Sequence, residues 1–128
     1  MADPISDLFI RIKNAQKAGK ESVQIPYSKF KHEIAKVLER GGWVKQVERK
    51  GKRIRKFLEI QLGYKDDQPK VGGVKMISKP SRRLYTSRQN LPRPHHGGMV
   101  ILTTSKGVMS SKEALQAKLG GQLIAEIW

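Results

Sequence analysis

Residues 99 to 113, Met-Val-Ile-Leu-Thr-Thr-Ser-Lys-Gly-Val-Met-Ser-Ser-Lys-Glu, constrain the fold of this chain more than any other stretch. The apolar run Met99 to Leu102 has the length of a buried strand. Three hydroxyl residues follow, Thr103, Thr104 and Ser105, and then Lys106 and Gly107. Ser110 and Glu113 stand at the spacing of a capping box, with Ser110 as N-cap. The expectation is a buried strand, a hydroxyl-rich turn, and a helix opening straight from that turn. Such a mouth would offer hydroxyls, backbone N–H groups and a positive helix end to an anion. In a plainer reading, the hydroxyls only satisfy the turn and the cap.

Charge bears on that choice. The chain has 128 residues with 26 Lys and Arg against 11 Asp and Glu, a net charge of +15. So large an excess on so short a chain repels itself unless it meets a polyanion, and nucleic acid is the commonest such partner. The excess is not a tail. Residues 1–65 hold 16 cations and 7 acids, and residues 66–128 hold 10 and 4. The absence of cysteine excludes disulfides, thiolate metal sites and a cysteine nucleophile. No apolar run approaches the roughly 20 residues of a membrane helix. No basic segment followed by an apolar one marks a secretion signal at the N-terminus, so a cytoplasmic protein without membrane contact is expected.

Asp3-Pro4 has the form of a helix start, and Ile5, Leu8, Phe9 and Ile12 make one apolar stripe. Arg11, Lys13, Asn14 and Lys17 occupy the opposite face, and the helix should stop near Gly19. Ser22 to Ile25 alternates as a short strand ended by Pro26. Ser28 caps a second helix to about Arg40, with Phe30, Ile34, Val37 and Leu38 inward and Gly41-Gly42 as its stop. Two strands of a hairpin follow, Trp43 to Glu48 and Ile54 to Leu62, the second with Ile54, Leu58, Ile60 and Leu62 on one face. Their connection carries Arg49, Lys50, Lys52, Arg53, Arg55 and Lys56, charges with no evident structural use and suited to phosphates.

Residues 63–73 are turn formers with little periodicity, and a boundary is placed there, giving a domain at 1–65 and another at 66–128. Val74 to Lys79 reads as a strand closed by Pro80. Arg82 to Arg88 reads as extended and basic, with Tyr85 either stacking on a base or half-buried in a strand. His95 and His96 sit in a Pro/Gly loop and would point to opposite sides, which argues against a shared metal. His32 stands on the second helix without a ligand-spaced companion and reads as a surface side chain. A helix to about Leu119, a stop at Gly120-Gly121 and a last strand from Gln122 to Trp128 complete the chain. No cofactor is expected.

Three stretches, taken together, resemble bacterial small-subunit ribosomal protein eight over nearly the whole length. They are Asp3-Pro4-Ile5-Ser6-Asp7 with Arg11-Ile12-Lys13-Asn14, Ser78-Lys79-Pro80 with Arg83-Leu84-Tyr85, and Thr104-Ser105-Lys106-Gly107-Val108-Met109 with Leu119-Gly120-Gly121. The resemblance implies an α+β fold of two small domains: an N-terminal layer of helices and strands, and a C-terminal half of mostly antiparallel strands with one short helix. It implies direct binding to the central domain of small-subunit ribosomal RNA early in assembly, alongside other small-subunit ribosomal proteins. In some bacteria it further implies repression of the protein's own messenger.

By the same resemblance, the main RNA contact falls on Thr103, Thr104, Ser105, Lys106 and Gly107, with Tyr85 as an aromatic contact. Gln122 stands in that region, where the family commonly has Glu. A second surface corresponds to Pro4, Arg11, Asn14 and Lys29. Lys79, Arg82, Arg83 and Arg88 complete the RNA-facing set. The family often has Ser at Thr103 and usually Gly at Ser81, which would strain Ser81 if its turn needs a positive φ.

Two other classes stand beside this reading. An enzyme would need a nucleophile elbow or a phosphate loop near its histidines, and neither pattern is present, so no catalysis is expected. A general basic DNA- or RNA-binding protein outside the ribosome remains the rival, although no helix-turn-helix order is visible.

Overall fold

The computed structural model describes residues 4–65, 68–95 and 97–128. Asp3, read as the first helix cap, lies outside the described residues, as do Asp66, Asp67 and His96. The fold is α+β with two compact units, Met1–Gly72 and Gly73–Trp128.

In the first unit, α1 (Pro4–Lys17) buries Leu8, Phe9 and Ile12 at helical spacing. β1 (Ser22–Pro26) leads to α2 (Lys29–Arg40), whose Ser28 cap accepts the N–H of Lys31 at 3.1 Å. Ile34, Ala35, Val37 and Leu38 are its buried face, while Phe30, expected inward, is an exposed side chain. Phe30 lies in the first turn of α2, ahead of the buried positions that begin at Ile34.

β2 (Val44–Lys50) and β3 (Phe57–Leu62) form the hairpin, and β1 pairs with β3 to give an antiparallel sheet of order β1-β3-β2. Leu58, Ile60 and Leu62 point into the core by the two-residue period. Ile54 does not join them. β3 begins only at Phe57, because Gly51 and Arg53 adopt positive φ and break the extended chain. β4 (Tyr64–Lys65) and β5 (Gln68–Pro69) pair as a minimal hairpin.

One buried polar side chain holds this unit together. Gln16 is 1% exposed. Its amide donates to the carbonyls of Gly63 at 3.1 Å and Trp43 at 3.4 Å, and its Oε1 accepts the N–H of Val71 at 3.1 Å. Three backbone groups of unrelated segments are thereby satisfied from one helix position, the condition under which a buried amide is tolerated.

In the second unit, β6 (Val74–Met76) is shorter than the Val74-to-Lys79 strand expected. β7 (Tyr85–Thr86), a 3-10 turn at Arg88–Asn90, β8 (Met99–Thr104), β9 (Gly107–Ser110), α3 (Ser111–Ala117) and β10 (Gly121–Ile127) follow. All pairings are antiparallel. β8 lies along one edge of β10, and β9 lies beyond β8. β6 pairs with the end of β10 and β7 with its beginning. Between them, Ile77 and Ser78 both donate to the Ile124 carbonyl, and Leu123 donates to Leu84. Val100, Ile101, Leu102, Ala114, Ile124, Ala125 and Ile127 are the core.

Candidate nucleic-acid interface

The hydroxyl stretch is the tip of the β8–β9 hairpin. Gly107 takes a φ of +105° and the chain reverses over Ser105-Lys106. The Thr104 hydroxyl is committed to that reversal. It accepts the N–H of Lys106 at 3.1 Å and donates to the carbonyl of Gly107 at 2.9 Å. A threonine closing its own turn this way fixes the backbone locally. Ser105 and Lys106 are exposed at the apex, and Thr103 and Thr104 are half-buried below it.

The turn does not open onto the helix, as the sequence reading had it. The four residues of β9 intervene, because Gly107 to Ser110 alternate in burial and continue the sheet. The end of α3 is also satisfied within the chain. Ser110 Oγ accepts the N–H of Glu113 at 3.2 Å, and the Glu113 carboxylate accepts the N–H of Ser110 at 3.0 Å. The expected capping box is present, and it takes up the N–H groups of Ser110 and Glu113.

What surrounds the turn is set by β10. Gln122 pairs with Tyr85 on one edge and with Thr103 on the other. Directly opposed residues in antiparallel strands share a face. Tyr85, Gln122 and Thr103 therefore form one row across three strands, next to the hydroxyl tip. Tyr85 is 72% exposed, so its ring is open to a visitor.

Gly120 and Gly121 make the row possible by their lack of side chains. A Cβ on Gly120 would overlap the carbonyl oxygen of Thr86, and one on Gly121 would overlap that of Thr103. The pair is a clearance for two flanking backbones. It is not the helix stop expected. α3 ends at Ala117, and Lys118 caps it in the left-handed region at φ 58°.

The remaining cations of this unit ride on a built loop. Lys79 and Arg82 bond each other's backbones at 2.8 and 2.9 Å around Pro80-Ser81. Ser78, itself buried, accepts the N–H of Leu84 at 2.9 Å and closes the base of the loop. Ser81 is not among the described residues with positive φ, so the strain anticipated there is absent. Lys79, Arg82 and Arg83 are exposed, and so is Arg88 beyond β7.

In the first unit, Pro4, Arg11, Asn14 and Lys29 are all exposed. Arg11 is partly engaged, with Asp7 at 2.9 Å and the Gln24 carbonyl at 3.5 Å. The basic connection divides. Lys50 pairs with Glu59 at 3.2 Å, and the Arg49 guanidinium lies 5.5 Å from the centre of the Tyr27 ring. These two charges have structural work, contrary to expectation. Lys52, Arg53, Arg55 and Lys56 stand exposed beyond them. The Tyr27 ring also meets the edge of His32 at 5.8 Å. His32 is held below the usual imidazole value, first by burial, then by Lys36 and Arg49.

Sequence reasoning missed Gly120 and Gly121 as builders of the row. The available signal was that two consecutive glycines precede a strand, where one suffices to end a helix. Among the described residues no group of three His, Asp or Glu could hold a metal ion. No helix among the described residues is long and apolar enough to cross a membrane.

A family model described as "Ribosomal protein S8" matches residues 3–128. The chain is 47% identical over 129 residues to "Small ribosomal subunit protein uS8" of Coprothermobacter proteolyticus, covering 98% of each. It is 41% identical to the protein of the same name in Dictyoglomus turgidum, covering 100% of this chain and 98% of that one. Identity to the Mycoplasmopsis synoviae protein of that name is also 41%, over 130 residues.

Proposed function

Because the chain belongs to the ribosomal protein S8 family, and so is a structural constituent of the small ribosomal subunit, we propose that it binds the central domain of small-subunit ribosomal RNA directly, through the β8–β9 tip and the row beside it. The observation that carries this reading is the row itself. An exposed aromatic, an amide and a hydroxyl stand side by side at the foot of a tight turn whose apex is Ser105-Lys106.

Each part has a use on folded RNA. Ser105 and the small residues around it let the backbone come close, where 2′-OH groups and exposed base edges can be bonded. Tyr85 offers a flat face to an unstacked base. Gln122 can both donate and accept, whereas the carboxylate common in the family could only accept. Thr104 contributes by holding the turn. Lys79, Arg82, Arg83, Arg88 and Lys106 supply phosphate contacts on the second unit; on the first unit, Pro4, Arg11, Asn14 and Lys29 form a second RNA surface, and the basic connection adds phosphate contacts of its own. Phosphate contacts position the protein and carry no sequence information; the row and the tip supply the discrimination.

Binding of this kind belongs to early assembly of the subunit in the cytoplasm, with other small-subunit proteins as neighbours and with no catalytic step. A segment of the protein's own messenger that copied the same RNA shape would be bound by the same surface and held back from translation.

The test is Ser105→Ala, assayed on full-length small-subunit RNA and on a random duplex. The variant should lose about tenfold in affinity for the ribosomal RNA, the scale of one lost specifying contact, and little for the duplex. Equal losses on both would refute the assignment. Competition against duplex DNA separates this reading from general basic nucleic-acid binding.

A further inference from the structure

The basic connection of the first unit ends in a side chain that charge alone does not explain. Ile54 is 97% exposed, against 64% for Leu115 and 51% for Ile10. It is flanked by Lys52, Arg53, Arg55 and Lys56, all exposed. Its position is built. The N–H of Arg55 donates to the Lys52 carbonyl at 3.0 Å, closing a four-residue turn with Arg53 and Ile54 at its centre. Arg53 holds a left-handed φ of 48°. Gly51, at φ +93°, lies where a Cβ would overlap the Arg55 carbonyl, so the turn folds tightly back on its own base. The outcome is an apolar branched side chain at an apex, ringed by four cations.

A partner for this apex must combine dense negative charge with accessible apolar faces. A membrane surface or an acidic peptide offers the first with a weaker or buried form of the second. An irregular RNA helix offers both, since phosphates flank every base or sugar face that is not stacked. Apolar side chains, isoleucine among them, are used as wedges against nucleic-acid steps. We propose that the 51–56 turn is a second RNA contact in which Ile54 packs against an unstacked base or sugar face while the four cations hold the adjacent phosphates. It rests on the ribosomal RNA reading above and adds a specific apolar contact to what was read as phosphate binding alone.

The experiment uses the full chain and full-length small-subunit ribosomal RNA transcribed in vitro. Ile54→Ala should weaken binding by about fivefold with the salt slope unchanged, as loss of a buried apolar contact requires. Lys52→Ala/Arg53→Ala together should flatten the slope instead. A photoreactive aliphatic diazirine residue at position 54 should cross-link to the RNA. Wild-type affinity for Ile54→Ala, or cross-linking in assembled subunits to a protein rather than to RNA, overturns the wedge while leaving the β8–β9 reading intact. A wild-type chain that does not prefer ribosomal RNA to a random duplex overturns both.

Discussion

At the scale of single residues, the same chemical group serves different ends according to its place in a turn. Thr104 and Ser105 are adjacent alcohols, yet only the first is spent on the backbone. The half-buried position satisfies the fold, and the apex stands exposed. His32 shows the same dependence on surroundings. Its pKa is lowered by burial and by Lys36 and Arg49, so the folded chain favours the neutral ring. The unfolded chain takes up the proton first as pH falls below the unfolded value of about 6.5. The stabilising contribution is therefore present above that pH and lost as pH drops through the folded value. Urea unfolding of wild type and His32→Gln, compared from about pH 7 to about pH 5, should show a gentler decline for the variant. Parallel declines would show that His32 titrates alike in both states.

At the scale of elements, the row of Tyr85, Gln122 and Thr103 depends on how closely β10 approaches its neighbours. β10 carries β7 and β8 on opposite edges at Gln122, and Gly121 beside it pairs with Thr86 of β7 while lying against the Thr103 carbonyl of β8. Hydrogen-bonded strands already sit close, and here no Cβ can stand between them. Gly121→Ala should cost about 1–3 kcal/mol in urea unfolding, as forced overpacking does, and should lower affinity for ribosomal RNA by moving Thr103 away from Gln122. A variant with wild-type stability and affinity would mean that the row is not set by this clearance. The hairpin β2–β3 behaves otherwise. There a strand expected from Ile54 begins at Phe57, and the residues released become an exposed turn. Alternation alone placed Ile54 on the buried face, because period two continues through a turn as easily as through a strand.

At the scale of the whole molecule, charge is the dominant property. Cations outnumber acids in each part of the chain, and the ion pairs among described residues occupy few of them. Exposed basic groups on both units predict a strong polyelectrolyte effect. If about six or more phosphates are neutralised, affinity for ribosomal RNA should fall at least about a thousandfold between about 50 mM and about 200 mM salt. A loss below tenfold would mean that most of these cations face solvent in the complex. Ser105→Ala should shift that line without changing its slope, since the lost contact releases no counterion.

Much of the fold was legible because it follows from local rules. The stripes Leu8-Phe9-Ile12 and Ile34-Val37-Leu38, the Ser28 cap, the Ser110–Glu113 box and the alternation of Leu58, Ile60 and Leu62 depend on periodicity and on hydrogen bonds within a few residues. The motif stretches and the charge pointed to the family and to a polyanion for the same reason: both are written in residue order. Other features depend on residues far apart in the chain. Gln16 reads as an ordinary polar position of a helix until Gly63 and Val71 arrive at its amide. Gly120 and Gly121 read as a helix stop until the carbonyls of Thr86 and Thr103 close in from either side. Tyr85, Gln122 and Thr103 become neighbours only through strand register, which no local pattern encodes. The sequence by itself determined the helices, the core strands, the excess charge and the hydroxyl turn, since each is decided by groups within one or two turns of chain. Only the tertiary structure decided which backbone groups Gln16 satisfies, which carbonyls crowd Gly120 and Gly121 and which side chains share a face, because those outcomes are settled by groups that lie far apart in the sequence.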